Sequence, residues 1–110
     1  MIEALRKQVG GPRDGALLRF SLGQAQLGIG DAAVAVDSLR AALAFDPNYS
    51  AAWKLLGHAH LQNNDRAAAT AAWQQGIVVA TTRGDTQAAK EMTVFLRRAQ
   101  RNVPDDANQD

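Results

Sequence analysis

Apolar residues recur along this chain at intervals of three and four, and polar or glycine-containing segments interrupt them at regular distances. That pattern predicts helices joined by short turns. Ile2, Leu5 and Val9 predict a short first helix over residues 2–9, stopped by Gly10-Gly11-Pro12. Asp14 is placed to cap a second helix reaching about residue 27, with Gly28-Ile29-Gly30 as its turn. A third helix, capped by Asp31, spans about 32–44 and ends at Asp46-Pro47-Asn48, because proline cannot continue the hydrogen-bond ladder. Ser50 starts the series again: a helix to about residue 62, a turn at Asn63-Asn64, an Asp65 cap and a helix to about residue 80. Residues 81–85 are polar and contain glycine, which predicts a loop. The last helix, about 86–101, has Ala89, Met92, Phe95, Leu96 and Ala99 on one stripe. Lys90, Glu91, Arg97, Arg98 and Arg101 occupy its other face. Residues 1–104 are expected to form a single domain, and the polar residues 105–110 a disordered tail.

The two helix pairs are copies of one unit of 34 residues. Leu22-Gly23 returns as Leu56-Gly57, Ala35 as Ala69, Leu39 as Trp73 and Leu27 as Leu61. The Gly30-Asp31 turn returns as Asn64-Asp65. A unit this short cannot bury its own apolar face and must stack on its neighbours. Glycine inside a helix costs about 1 kcal/mol against alanine. At Gly23 and Gly57 that cost is explained if a side chain would block the paired helix, and Ala35 and Ala69 are small for the same reason. Gly76 stands where the first repeat has Ala42 and is expected to loosen its helix locally.

These positions resemble the tetratricopeptide repeat. The first repeat, residues 16–49, supplies Leu22, Gly23, Gly30, Asp31, Ala35, Leu39, Ala42 and Pro47. The second, residues 50–83, supplies Trp53, Leu56, Gly57, Ala69 and Trp73. Departures stand beside the matches: Arg19 replaces the large apolar residue that Trp53 provides, and Gln26 and His60 occupy positions where an aromatic is usual. The resemblance implies an all-α fold, a short right-handed superhelical stack of antiparallel helix pairs, with residues 86–101 as a C-terminal capping helix. The chain is also similar to small stand-alone bacterial proteins of this type.

Composition narrows the function classes. The chain of 110 residues is 46% hydrophobic and 21% charged, which is ordinary for a folded domain. With no cysteine, thiolate chemistry and disulfides are excluded. A formal charge of +1 gives no global attraction to nucleic acid or anionic lipid. The N-terminus is charged within three residues, and no stretch approaches the roughly 18 apolar residues of a membrane span, so a cytoplasmic protein is expected. Ser21, Ser38 and Ser50 have no histidine–carboxylate partner at a suggestive spacing, and Gly28 and Gly30 form a helix–helix turn instead of a phosphate loop. His58 and His60, two apart on a helix, face different directions and do not share a metal ion. No enzyme, metal or cofactor is expected.

The resemblance implies that the first helix of each pair lines a concave surface that often holds an extended peptide or a helix. Its usual offsets select Leu17, Phe20, Gln24 and Leu27 in the first repeat and Ala51, Lys54, His58 and Leu61 in the second. Ala88, Met92 and Phe95 of the capping helix are added at one edge. Phe20, Leu27 and Leu61 are either groove anchors or packing residues, and Ala88, Met92 and Phe95 form a stripe that also fits a core. Lys54 is suited to a carboxylate, and Gln24 and His58 to peptide backbone. A single groove lysine without paired asparagines does not match the clamp that grips terminal carboxylates. The function expected is non-catalytic binding of a protein or peptide partner. Homodimerisation is the alternative, and RNA binding through Arg97, Arg98 and Arg101, joined by Arg6 and Lys7, is a second one. In that second reading Asp105, Asp106 and Asp110 would partly cancel the positive field.

Overall fold

The computed structural model describes residues 1–101; the tail expected at 105–110 lies outside them. Among the described residues there are six helices, α1 (Ile2–Arg6), α2 (Ala16–Gly28), α3 (Ala32–Phe45), α4 (Ser50–Gln62), α5 (Arg66–Arg83) and α6 (Thr86–Arg101), with no strand. The fold is an all-α solenoid of stacked helix pairs. Each pair packs across its small residues: a Cβ at Gly23 would lie 2.6 Å from Leu39 Cγ, and one at Gly57 would overlap the Trp73 indole. The repeat therefore has a steric cause. A missing side chain on the first helix admits a large one, Leu39 or Trp73, from the second.

The core follows from the same spacing. Ala35, Leu39 and Ala42 of α3 pack with Ala52, Leu56 and Ala59 of α4 in one cluster. Ala69, Trp73 and Ala80 of α5 pack with Ala88, Met92 and Ala99 of α6 in a second. Trp53 packs against both, joining the repeats, and its indole N–H donates to the Pro47 carbonyl at 2.8 Å. Trp73, Leu39 and Met92 are the largest fully buried side chains.

Layering gives the stack its curvature. Helix α4 touches α2 on one side and α6 on the other, whereas α3 and α5 do not meet. A stack whose first helices lie closer together than its second helices bends toward the closer layer. The inner face is therefore made by α2, α4 and α6.

Several local expectations are corrected. Helix α1 is shorter than 2–9 and ends at Arg6. Asp14 does not cap α2, whose N-cap is Gly15. Its carboxylate instead accepts from Arg19 at 2.8 and 2.9 Å and from the Gly10 N–H at 2.8 Å. Those bonds, the Arg19 one first, hold the Asp14 carboxyl far below the usual carboxylate range. Asp31 sits at the N-cap of α3 without a side-chain cap bond. Ser50 is the first residue of α4, not its cap, and its hydroxyl is buried without a partner. Asp65 does cap α5, accepting from the Ala68 N–H at 3.0 Å. Helix α5 runs three residues past the expected end, to Arg83, where Gly84 stops it in the left-handed conformation at φ 78°. Gly76 does not loosen α5: a Cβ there would lie 2.5 Å from Met92 Sδ and 2.7 Å from Trp53 Cβ, so its absence lets α4 and α6 close on α5.

Candidate binding groove

The inner face carries two adjoining depressions. Gln24, Leu27 and Gly28 of α2 face His58, Leu61 and Gln62 of α4 across a depression of about 490 Å³. His58 and Leu61 also wall a second depression of about 470 Å³, together with Arg66 and Trp73 of α5 and Phe95 and Arg98 of α6. Because His58 and Leu61 line both, the two depressions adjoin along α4 and together span α2, α4 and α6.

Four of the residues selected from the sequence, Gln24, Leu27, His58 and Leu61, thus come together on the same cleft. Gln24 and Leu61 are exposed, while Leu27 and His58 are half-buried. Their helical spacing explains the assembly, because 24 and 27 on α2 and 58 and 61 on α4 each lie three apart on one face.

Other selected positions have different surroundings. Leu17, 70% exposed, stands at the start of α2 away from the cleft lining. Ala51 is half-buried at the start of α4. Phe20 is half-buried, its ring stacked on Tyr49 at 5.0 Å between centroids. Lys54 donates to Glu91 of α6 at 2.9 Å, a salt bridge that ties two inner helices together. Phe95 lines the second depression and meets the His58 ring edge-on at 4.5 Å.

Ala88 and Met92, selected for the groove edge with core as the other reading, are core and not groove: Met92 is 0% exposed and Ala88 is 7%. The cause is a change of register. Buried Leu18 and Leu22 return 34 residues on as Ala52 and Leu56, but those return as Ala88 and Met92 only 36 residues on. The overrun of α5 and the Gly84-Asp85 cap insert the extra length. On the corrected spacing, His58 and Leu61 correspond to Val94 and Arg97, which line a separate depression on α6 with Gln100 and Arg101. Sequence reasoning placed Arg98 on a solvated face and omitted it from the groove; the 36-residue spacing of the buried alanines was the signal for it.

Electrostatically, the groove is a neutral-histidine site with a positive edge. Burial, then the neighbouring Lys54 charge, pushes the His58 pKa down. His58 also lies edge-on to Trp73 at 5.3 Å, and the Trp73 indole N–H donates to the Lys54 carbonyl at 3.0 Å. These contacts fix the ring against the groove floor. Gln26, at a position where an aromatic was expected, is buried and accepts from the Ser38 hydroxyl at 2.6 Å. His60 faces away from this cleft, in a depression with Arg40, Pro47 and Trp53, and burial lowers its pKa as well.

Among the described residues, no three His, Asp or Glu side chains are grouped to hold a metal ion. No described helix is long and apolar enough to cross a membrane. The arrangement offers surface, hydrogen-bonding groups and charge.

No family model matches the chain. It is 52% identical over 101 residues to a TPR repeat-containing protein of Pseudomonas aeruginosa, across 92% of this chain and 96% of that protein. Its fold superposes on the solution structure of a Bordetella parapertussis protein with a TM-score of 0.82 at 43% identity, covering 99% of this chain and 92% of the other. A tetratricopeptide repeat domain protein of Salinibacter ruber shares the fold at a TM-score of 0.76 and 24% identity, over 84% of this chain and 92% of its own. With its paired glycine-and-bulky crossings and these likenesses, the chain belongs to the tetratricopeptide repeat family of protein–protein interaction modules.

Proposed function

We propose that the chain holds a peptide or a helix of a partner protein in the groove across α2, α4 and α6, without catalysing a reaction. The observation that supports this reading is that His58 and Leu61 line both depressions, which sets the two side by side across the three inner helices. Leu27 and Leu61 supply apolar contact, and Gln24 and Gln62 supply amide groups for main-chain hydrogen bonds. Of the residues first selected, Lys54 acts through its bridge to Glu91 and Phe20 through Tyr49, so both shape the groove more than they touch its occupant.

The test is affinity capture from native lysate by wild type and by a Gln24→Ala, Leu61→Asn variant, with captured proteins quantified and the mass of each bait measured in solution. Leu61 and Gln24 are exposed, so the variant is expected to fold. A protein retained by wild type, lost from the variant and bound again as an isolated segment supports the groove. Equal capture by both baits removes it. A bait that is dimeric at working concentration and captures nothing makes homodimerisation the function.

A further inference from the structure

Charge is distributed unevenly along the groove. Helix α6 carries Lys90, Arg97, Arg98 and Arg101 against one carboxylate, Glu91, in a chain whose net charge is only +1. That carboxylate is occupied by Lys54. Among the described residues no carboxylate lines either groove depression, while Arg66 and Arg98 line the one nearer α6. Arg98 is exposed and has no carboxylate partner among the described residues. Arg97 and Arg101 line the separate depression on the same helix. The groove therefore passes from an apolar, amide-bearing end between α2 and α4 to a cationic end at α6.

Resting on the groove reading above, we propose that the segment it holds is acidic: an aspartate or glutamate close to an aliphatic residue. The aliphatic side chain packs on Leu27 and Leu61, and the carboxylate meets Arg98. A guanidinium offers a carboxylate two parallel N–H donors, and the pair is shielded on one side by the Phe95 and Trp73 rings that line the same depression. A partner carrying lysine or arginine there would meet the like charge of Arg98, which disfavours basic segments.

Nucleic acid would also be drawn to these arginines, but the rings are poorly arranged for it. Base stacking needs open aromatic faces. Trp73 is 1% exposed, and the His58 and Phe95 rings are half-buried and packed edge to face on each other. A peptide that inserts one aliphatic side chain and one carboxylate uses the surface as it stands.

The experiment pans a random 12-residue peptide library on the full chain. It then follows one enriched, fluorescein-labelled peptide by anisotropy against wild type, Arg98→Glu and Leu61→Asn. Circular dichroism checks that each variant is folded. Enriched peptides are expected to carry Asp or Glu near Leu, Ile or Val. Arg98→Glu is expected to weaken binding about tenfold or more, the effect of losing a charge-assisted pair. Replacing the peptide's acid by lysine should restore affinity for Arg98→Glu. If Leu61→Asn weakens binding while Arg98→Glu leaves it unchanged, the groove stands and the acidic specificity falls. If no enriched peptide responds to Leu61→Asn, the groove reading itself fails and this inference with it. A labelled 12-nucleotide oligouridine that displaces the peptide, with binding that drops steeply in salt and is lost in Arg98→Glu, overturns the peptide assignment in favour of RNA.

Discussion

At the scale of single residues, this fold is decided by where side chains are missing. Gly57 and Gly76 sit inside helices because the neighbouring helix fills the space a Cβ would need. The Trp73 indole cannot retreat from Gly57, since its N–H is bound to the Lys54 carbonyl and its ring lies against His58 and Phe95. At Gly76 the Met92 sulfur can shift, but the Trp53 Cβ stands next to the main chain and cannot. Gly57→Ala and Gly76→Ala are each expected to destabilise the protein by about 1–3 kcal/mol through overpacking, despite alanine's better helix propensity. Gly28→Ala, with nothing within 4 Å of its added Cβ, is expected to cost nothing or to stabilise slightly. Urea denaturation of the three variants checks this. Equal midpoints for Gly57→Ala and Gly28→Ala would contradict the packing account. The repeat spacing made Gly23 and Gly57 legible in advance. Gly76 was misread because its neighbours, Trp53 and Met92, come from a preceding and a following helix and leave no mark at repeat spacing.

Among the elements, the pairs α2/α3 and α4/α5 were readable because apolar periodicity and a 34-residue recurrence agree there. The capping helix and its apolar stripe were readable, but not its offset from the two repeats. Thr81, Thr82 and Arg83 look like loop residues by composition, yet they complete the last turn of α5. Tertiary packing of the preceding Val79 and Ala80 extends the helix past its weak propensity, and Gly84 then ends it. Two residues of extra length turned Ala88 and Met92 inward and brought Arg98 to the groove. Lys54 and Glu91 escaped notice as a pair for a related reason: 37 positions separate them, and only the α4–α6 contact joins them. The junction should therefore be sensitive. Gly84→Ala places a Cβ on a left-handed residue and is expected to cost about 1–2 kcal/mol. Asp85 adds a second constraint by accepting from the Ala88 N–H at 3.2 Å, and Asp85→Ala is expected to cost about 1 kcal/mol. Hydrogen exchange should show the loss first in α6. Uniform loss of protection through α2 and α3 would mean that the junction is not the weak point.

For the molecule as a whole, the two histidines link stability to acidity. Both are neutral in their folded surroundings with pKa values pushed below 6.5, His58 by burial and then Lys54, His60 mainly by burial. Asp65 favours the charged form of His60, and Arg40 opposes it. Between 6.5 and the lower folded values, the unfolded chain binds more protons than the folded one, so stability rises with pH across that window. Their contribution is complete above pH 6.5 and is lost as pH falls from there through the folded values. The Asp14 contribution has the same direction but a different window: it is complete above the unfolded carboxylate value of 3.8 and is lost only in stronger acid. Urea midpoints should therefore decline as pH is lowered from 7.5 to 5. A His58→Gln, His60→Gln double variant should flatten that decline while leaving the later, acid-side fall in place. Because His58 lies on the groove floor, its protonation also adds positive charge beside Arg98. An acidic peptide should consequently lose less affinity than fold stability alone would predict as pH falls, and a neutral analogue should not share that compensation. Anisotropy titrations of both peptides across the same pH range, set against the urea midpoints, separate the two effects. Parallel losses for the acidic and neutral peptides would show that His58 does not couple to the bound charge.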